Sequence, residues 1–218
     1  MNNSVIQLLV LAGVAVFLIL KLRATLGTRD GYEGPTAVPP AVPSKASGPE
    51  LVEGGPDRDI TDHVAAGSTA AQALAAMKLV EPAFSVGGFL QGARGAYEMI
   101  LEGFAKGDIA ALRPFLSPEV AESFEAVIRD RKEKGLNVTT DVQGVRELAM
   151  DAAEFNRSTS EAELTVHFVA ELITATRDAA GTVIDGDAKR ARRQKDVWTF
   201  GRTMGANDPN WQLIATGT

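Results

Sequence analysis

Two histidines are the first candidates for acid–base or metal chemistry, because imidazole titrates near neutral pH and binds metal ions. His63 lies in a segment with linker composition. His167 lies in a predicted strand with Glu171 on the same face, but at the rise of a strand their Cα atoms are about 13 Å apart. The chain has no cysteine, which excludes thiol catalysis and thiolate metal sites. We therefore expect no catalytic residues, no metal site, no cofactor and no enzymatic activity.

Four glycines, Gly87, Gly88, Gly92 and Gly95, superficially resemble a phosphate-binding loop. Such a loop follows a strand and ends in Gly-Lys-Ser/Thr, and both features are missing here. Gly88, Gly92 and Ala96 recur every four residues and share one face of a helix. Small residues in this pattern predict close packing against another helix, with self-association as the alternative.

A cluster of positive charge, KRARRQK, spans residues 189–195 of a chain whose net charge is -6. An acidic chain is not typical of a DNA-binding protein. The cluster could contact anionic phospholipid headgroups, at about 1 kcal/mol for each basic residue, or, less favoured, ribosomal RNA. Alternatively it is a solvated hairpin balanced by Asp185, Asp187 and Asp196. The basic residues are Lys189, Arg190, Arg192, Arg193 and Lys195.

The N-terminal segment predicts a transmembrane anchor over residues 1–26. Val5 to Leu20 carry no charge, and with the uncharged residues before them they reach the roughly 20 residues that a membrane-spanning helix needs. A cleaved signal peptide would carry a basic start and a small-residue cleavage site, which are missing, and a buried helix is the other alternative. Lys21 and Arg23 follow the run, so the positive-inside rule places the C-terminal domain in the cytoplasm. No mitochondrial presequence precedes it, which favours a bacterial inner membrane.

Residues 27–67 predict a disordered Pro/Gly-rich linker, because six of the ten prolines fall between residues 27 and 57. The remainder, residues 68–218, is long enough for one domain with a substantial core. Three helices are predicted in its first half. One begins at Ser68 and stops at Glu81-Pro82, one runs from Phe89 to Gly107, and one starts at Ser117-Pro118 and ends at Gly135.

Strands are predicted beyond Leu136, where the apolar period changes from 3.6 towards two. In residues 162–173, apolar side chains alternate with Thr165, His167 and Glu171. The segments DVWTFG and NWQLIAT supply two more strands. Helices followed by antiparallel strands predict an α+β domain with the helices on one face of a curved sheet.

Three ordered strings carry a family resemblance: SVGGFLQGARGAYEMILEGFAKGDIAALRPFLSPEV, DVWTFGR and DPNWQLIAT. Together they resemble the Tim44-like domain family over residues 70–217. This family includes a peripheral subunit of the mitochondrial inner-membrane translocase, a relative in the mitochondrial large ribosomal subunit and bacterial members of the TimA type. The resemblance implies a nuclear-transport-factor-two-like cone with an apolar pocket between helices and sheet. The implied pocket or core candidates are Phe89, Tyr97, Ile100, Phe104, Phe115, Phe124, Trp198 and Trp211.

The same resemblance implies two further sites. Family members touch the membrane through their first helices, so Leu74, Met77, Lys78 and Leu79 are candidates for a weakly amphipathic membrane-surface helix. The related fold class includes isomerases that pair a tyrosine with a pocket carboxylate. Tyr97 is the only tyrosine in the predicted domain, and the sequence places no carboxylate opposite it.

The resemblance and the anchor–linker–domain order imply a non-enzymatic, single-pass membrane adaptor. Its expected partners are an inner-membrane protein complex for translocation or assembly, and anionic phospholipid. The family's chaperone-recruiting segment is replaced here by the anchor and linker, so chaperone recruitment does not carry over. The alternative is a tethered domain, conceivably an enzyme, that binds a lipid or small molecule. Polar groups converging in the pocket would favour that alternative.

Overall fold

A computed structural model of the chain describes residues 57–217, which belong to one compact unit. The predicted anchor, residues 1–26, and most of the predicted linker lie outside the described residues. Among the residues that the structure does describe, no helix is both long and apolar enough to cross a membrane.

Five α-helices precede the sheet in the described chain. They are α1 (Arg58–Thr61), α2 (Thr69–Val80), α3 (Val86–Lys106), α4 (Ile109–Leu112) and α5 (Pro118–Glu133), with a 3₁₀ turn at Arg113–Phe115 after α4. The prediction of three main helices is confirmed by α2, α3 and α5. Only the start of α3 differs, because the helix begins three residues before the predicted Phe89.

Side-chain caps explain where these helices begin. Ser68, Ser85 and Ser117 accept hydrogen bonds from the backbone amides of Ala71, Gly88 and Val120, respectively. Such caps satisfy amides that would otherwise have no intrahelical partner. Helix α3 can therefore begin before two glycines, which disfavour a helix by themselves. It ends at Gly107, whose positive φ of 73° suits the left-handed C-terminal position.

The second half of the domain is one antiparallel sheet of five strands. They are β1 (Asn137–Asn156), β2 (Glu161–Arg177), β3 (Val183–Gly186), β4 (Arg192–Thr203) and β5 (Gln212–Gly217). The order is β1-β2-β4-β5, and β3 pairs with the end of β2 beyond β4. Three register shifts interrupt the pairing of β1 with β2, and such bulges bend a strand. The prediction of helices packed on an antiparallel sheet is confirmed.

The core lies between α2, α3 and the helix-facing side of the sheet. The predicted alternation in β2 is confirmed, since all five of its predicted apolar residues are buried. They are Leu164, Val166, Phe168, Ala170 and Leu172.

Residues 57–67 were predicted as linker, but the structure describes them as part of the folded unit. Asp57 caps α1, and Asp59 accepts hydrogen bonds from the amides of Val86 and Gly87 at 2.8 and 3.0 Å. Lys78 on α2 pairs with both aspartates at 2.7 Å. Burial alone would raise the pKa of Asp59, but these hydrogen bonds and the Lys78 charge outweigh it and lower the pKa to about 2. The ordered domain thus begins earlier than the composition indicated.

The predicted membrane-surface helix needs a correction. Leu74 and Met77 are fully buried in the core, and Lys78 is engaged by two carboxylates. These residues therefore face the domain, because the apolar face of α2 covers the sheet. Of the four predicted contact residues, Leu79 alone is an exposed apolar side chain, with 82% of its surface accessible.

Candidate functional site

A cleft runs along one side of α3. Its volume is about 540 Å³, within the range of small-molecule sites. The opposite wall comes from the residues before α3, the 3₁₀ turn, β4 and the loop between β4 and β5. The lining residues include Glu81, Phe84, Gly88, Phe89, Gly92, Gly95, Met99, Phe115, Phe200, Arg202 and Trp211.

The floor of the cleft is glycine-rich helix backbone. A Cβ atom added to Gly92 or Gly95 would meet no described atom within 4 Å. The predicted close packing of Gly88 and Gly92 against another helix is therefore not present in the described chain. Instead the small residues leave space, and they would let a bound group approach the backbone of α3.

Aromatic rings form the walls. The ring centroid of Phe89 is 4.9 Å from that of Trp211 and 5.9 Å from that of Phe200, both in edge-to-face geometry. The ring centroid of Phe84 lies 6.1 Å from that of Trp211. Trp211 and Phe115 are only half-buried, so their faces are available to a bound apolar group.

One charged pair faces this apolar space. The Arg202 side chain is 8% exposed and donates from Nη2 to Glu81, which also accepts from the amide of Gly205. The hydrogen bond from Arg202 lowers the pKa of Glu81, which stays ionised at neutral pH. The Arg202 guanidinium lies 5.7 Å from the Trp211 ring, and its buried Nε has no hydrogen-bond partner among the described residues. The cleft therefore combines an apolar surface with an incompletely satisfied cation.

A second polar pair, which the sequence reasoning missed, is sealed inside the core. The Tyr97 hydroxyl donates to Asp196 at 2.6 Å, and Gln194 Nε2 donates to the same carboxylate at 2.9 and 3.0 Å. Burial raises the pKa of Asp196, although both donors oppose this, and burial beside Asp196 raises the pKa of Tyr97. Phe168 stacks on Tyr97 with centroids 4.4 Å apart. Alternation along β4 could have revealed the position of Asp196, because residues two apart in a strand point to the same face and Trp198 was a predicted core residue.

Asp196 also corrects the expected charge balance of the basic cluster. Asp196 is 5% exposed and its carboxylate accepts hydrogen bonds from Tyr97 and Gln194, so it does not neutralise surface charge. The five basic residues, Lys189, Arg190, Arg192, Arg193 and Lys195, are all exposed. Within the described chain they form no ion pair.

The eight pocket or core candidates divide into three groups. Phe89, Phe115 and Trp211 line the cleft. Tyr97, Ile100 and Trp198 are buried in the core. Phe104 and Phe124 pack on each other with centroids 4.4 Å apart, and Arg131 lies 4.3 Å above the Phe104 ring.

The histidines do not form a shared site. His167 Nδ1 lies 2.5 Å from Asp151 Oδ1 on β1, not beside Glu171, whose partner is Arg146. No group of three potential metal ligands occurs among residues 57–217. The amides at the start of α3 are also occupied, by Asp59 and Ser85, so the adjacent glycines hold no free phosphate-binding amides there.

Comparison with known proteins identifies the family of this chain. A family model described as the Tim44-like domain matches residues 70–218, so the chain belongs to that family. Among solved structures, the chain is similar to the intermembrane space region of the chloroplast protein ARC6. That similarity has 11% sequence identity and a TM-score of 0.41, and covers 59% of this chain and 94% of that one. A search of curated proteins gave no match.

Proposed function

We propose that this protein is a non-enzymatic adaptor at the bacterial inner membrane, with one N-terminal span and a cytoplasmic Tim44-like domain. Its partners would be an inner-membrane translocase or assembly complex and anionic phospholipid. Family membership and the sequence order of anchor, linker and domain support this role.

The open cleft on α3 is the observation that carries the proposal. It exposes helix backbone at Gly92 and Gly95 beside half-buried Trp211 and Phe115. An apolar side chain or helix face of a partner could bury these rings, and large aromatic contacts dominate the energetics of many interfaces. We propose that a protein partner binds here in a nuclear-transport-factor-two-like pocket.

A photocrosslinking experiment tests this site. Benzoyl-phenylalanine replaces Met99, which is 38% exposed and lines the cleft. The matched control carries the same probe at Val127, which is 42% exposed on α5 and lies outside the cleft-lining set. Full-length protein is irradiated in its native membrane, and the products are identified by mass spectrometry. Translocase or assembly subunits captured from Met99 but not from Val127 would support the adaptor; capture of no membrane-complex subunit, or equal capture at both positions, would reject it.

A second candidate function is a tethered domain that binds an anionic amphiphile, such as a lipid or small molecule with a carboxylate. Arg202 favours it, since its side chain lines the cleft and supplies a cation, now paired with Glu81, to which a ligand anion could bind. Native mass spectrometry of full-length protein released from detergent would test it. A bound lipid that is retained by the parent protein and lost in R202M would favour this alternative over the adaptor.

A further inference from the structure

We infer that residues 183–195, here called the basic arm, form a docking surface for an anionic phospholipid bilayer. The inference deepens the proposed function, which names anionic phospholipid as a partner, and rests on it for placing the domain beside a membrane. It concerns a surface separate from the cleft and formed by different residues.

Sheet pairing makes the basic arm protrude. Gly186 of β3 pairs with Ala175, and Arg192 of β4 pairs with Leu172 on the same strand. From Gly186 to Arg192 the chain advances by six residues, whereas the facing part of β2 advances by only three, from Ala175 to Leu172. Residues 187–191 therefore cannot all pair with β2, and they must leave the sheet. Every residue in 183–195 except half-buried Asp187 is exposed.

Two aliphatic side chains are exposed at the start of the basic arm. Val183 is 43% exposed and Ile184 is 53% exposed. Exposed aliphatic groups in one segment with basic residues suit the boundary between headgroups and acyl chains, where apolar side chains insert while cations remain at the headgroups.

The arm keeps a net positive charge. It holds five basic residues and two acidic ones, Asp185 and Asp187. Asp187 already accepts a hydrogen bond from the backbone amide of Lys189. On the neighbouring strand, Glu171 pairs with Arg146 at 2.7 Å and also lies opposite Arg193, whose charge contributes to lowering the pKa of Glu171. The arm is therefore a local cationic surface on a chain of net charge -6.

This chemistry favours a bilayer over RNA. Proteins that bind single-stranded nucleic acid combine positive charge with aromatic side chains on which bases stack. The basic arm contains no aromatic residue. Aliphatic insertion together with several basic residues is instead the combination by which peripheral segments bind anionic lipid.

Site-directed spin labelling can test the arm, because the chain contains no native cysteine. The full-length protein is labelled at I184C and reconstituted in vesicles of phosphatidylcholine, alone or mixed equally with phosphatidylglycerol. We expect the label to become accessible to oxygen and protected from a water-soluble nickel complex only in the mixed vesicles. A label at L79C, the rival exposed position on α2, should stay in water in both.

Charge removal gives the matched control. Replacing Arg190, Arg192 and Arg193 by Gln should return the I184C label to the accessibility seen in phosphatidylcholine alone. Replacing Arg58, Lys106 and Arg157 by Gln removes the same charge elsewhere and should leave the label immersed.

Any of three results would overturn the inference. They are an I184C label that stays in water in both vesicles, immersion of the label at L79C instead, and protection of I184C by added RNA and not by lipid. Photocrosslinking at Met99 reports on the cleft alone, so a negative crosslinking result would not produce any of these spin-label results.

Discussion

The sealed centre of the domain and the open cleft are built on the same two elements, α3 and β4. In the centre, Tyr97 meets Asp196 and the space is filled by stacked rings. In the cleft, β4 presents Arg202, but α3 presents Gly92 and Gly95 on another side of the helix. Both regions contain aromatic rings and a polar pair. The size of the α3 side chains therefore decides whether the region becomes core or remains open to a partner.

The two tryptophans give the largest expected contrast. Trp198 is 3% exposed in the sealed centre, whereas Trp211 is half-buried at the cleft. We expect W198A to lower the free energy of unfolding by about 3–5 kcal/mol, since it leaves a large cavity. W211A should cost about 1–2 kcal/mol, because it removes only part of a buried ring. Denaturant unfolding of full-length protein in mild detergent measures both, and equal losses would contradict the contrast.

Removing the Tyr97 hydroxyl tests the sealed polar pair. Y97F leaves the buried Asp196 carboxylate with Gln194 as its remaining donor, and should lower the free energy of unfolding by about 1–3 kcal/mol.

D196N removes the buried charge while keeping an oxygen that accepts from Tyr97, so it should lower the free energy of unfolding by less than Y97F does. The pKa of Asp196 is higher in the folded protein than in the unfolded chain. Ionisation of this carboxyl group therefore destabilises the fold as the pH rises above the unfolded pKa. The stability of D196N should therefore decline less than that of the parent between acidic and neutral pH.

Acid should weaken the junction between α1, α2 and α3 through Asp59. Its pKa falls from 3.8 to about 2 on folding, so its stabilising contribution is complete above the unfolded value and disappears as pH falls through about 2. The contribution should be about 1–2 kcal/mol after allowance for its partial exposure. D59N should be less stable than the parent at neutral pH and similar to it near pH 2. A constant difference across this range would contradict the assignment.

Two glycines on α3 provide the smallest effect and the sharpest test of open space. A Cβ at Gly92 would meet no described atom within 4 Å, but one at Gly103 would lie 2.8 Å from Leu112 Cδ2. G92A should stabilise the protein by about 0.5–1 kcal/mol, because alanine favours helix. G103A should destabilise it by about 1 kcal/mol, since Leu112 is buried and must shift. Thermal unfolding of both variants checks the difference in sign.

The sequence was most informative where one local signal dominated. The start at Ser68 and the stop at Glu81-Pro82 predicted α2 almost to the residue, as the Ser117-Pro118 start and Gly135 did for α5, and alternation predicted β2. Strand β1 was not located, because three register shifts break its alternation. The start of α3 was placed late, because Gly87 and Gly88 disfavour a helix by themselves and the Ser85 cap that precedes them was not recognised.

The site was predictable only in part. Phe89, Phe115 and Trp211 were among the predicted candidates, but Phe84 and Phe200, which also line the cleft, were not. Periodicity also cannot distinguish a ring in the core from one at an open wall. Arg202 and Asp196 were missed as site residues because each meets its partner through long-range packing. Asp196 reaches Tyr97 across ninety-nine residues, and Glu81 reaches Arg202 across an even longer separation.

The most direct test of the adaptor account is to fill the cleft without unfolding the domain. Full-length G92L and G92A are crosslinked mildly in native membranes, purified in detergent and compared with the parent by quantitative mass spectrometry. The account predicts that G92L folds normally and loses the membrane-complex subunits that the parent recovers, while G92A retains most of them. Equal recovery of those subunits by G92L and the parent would contradict binding through the cleft.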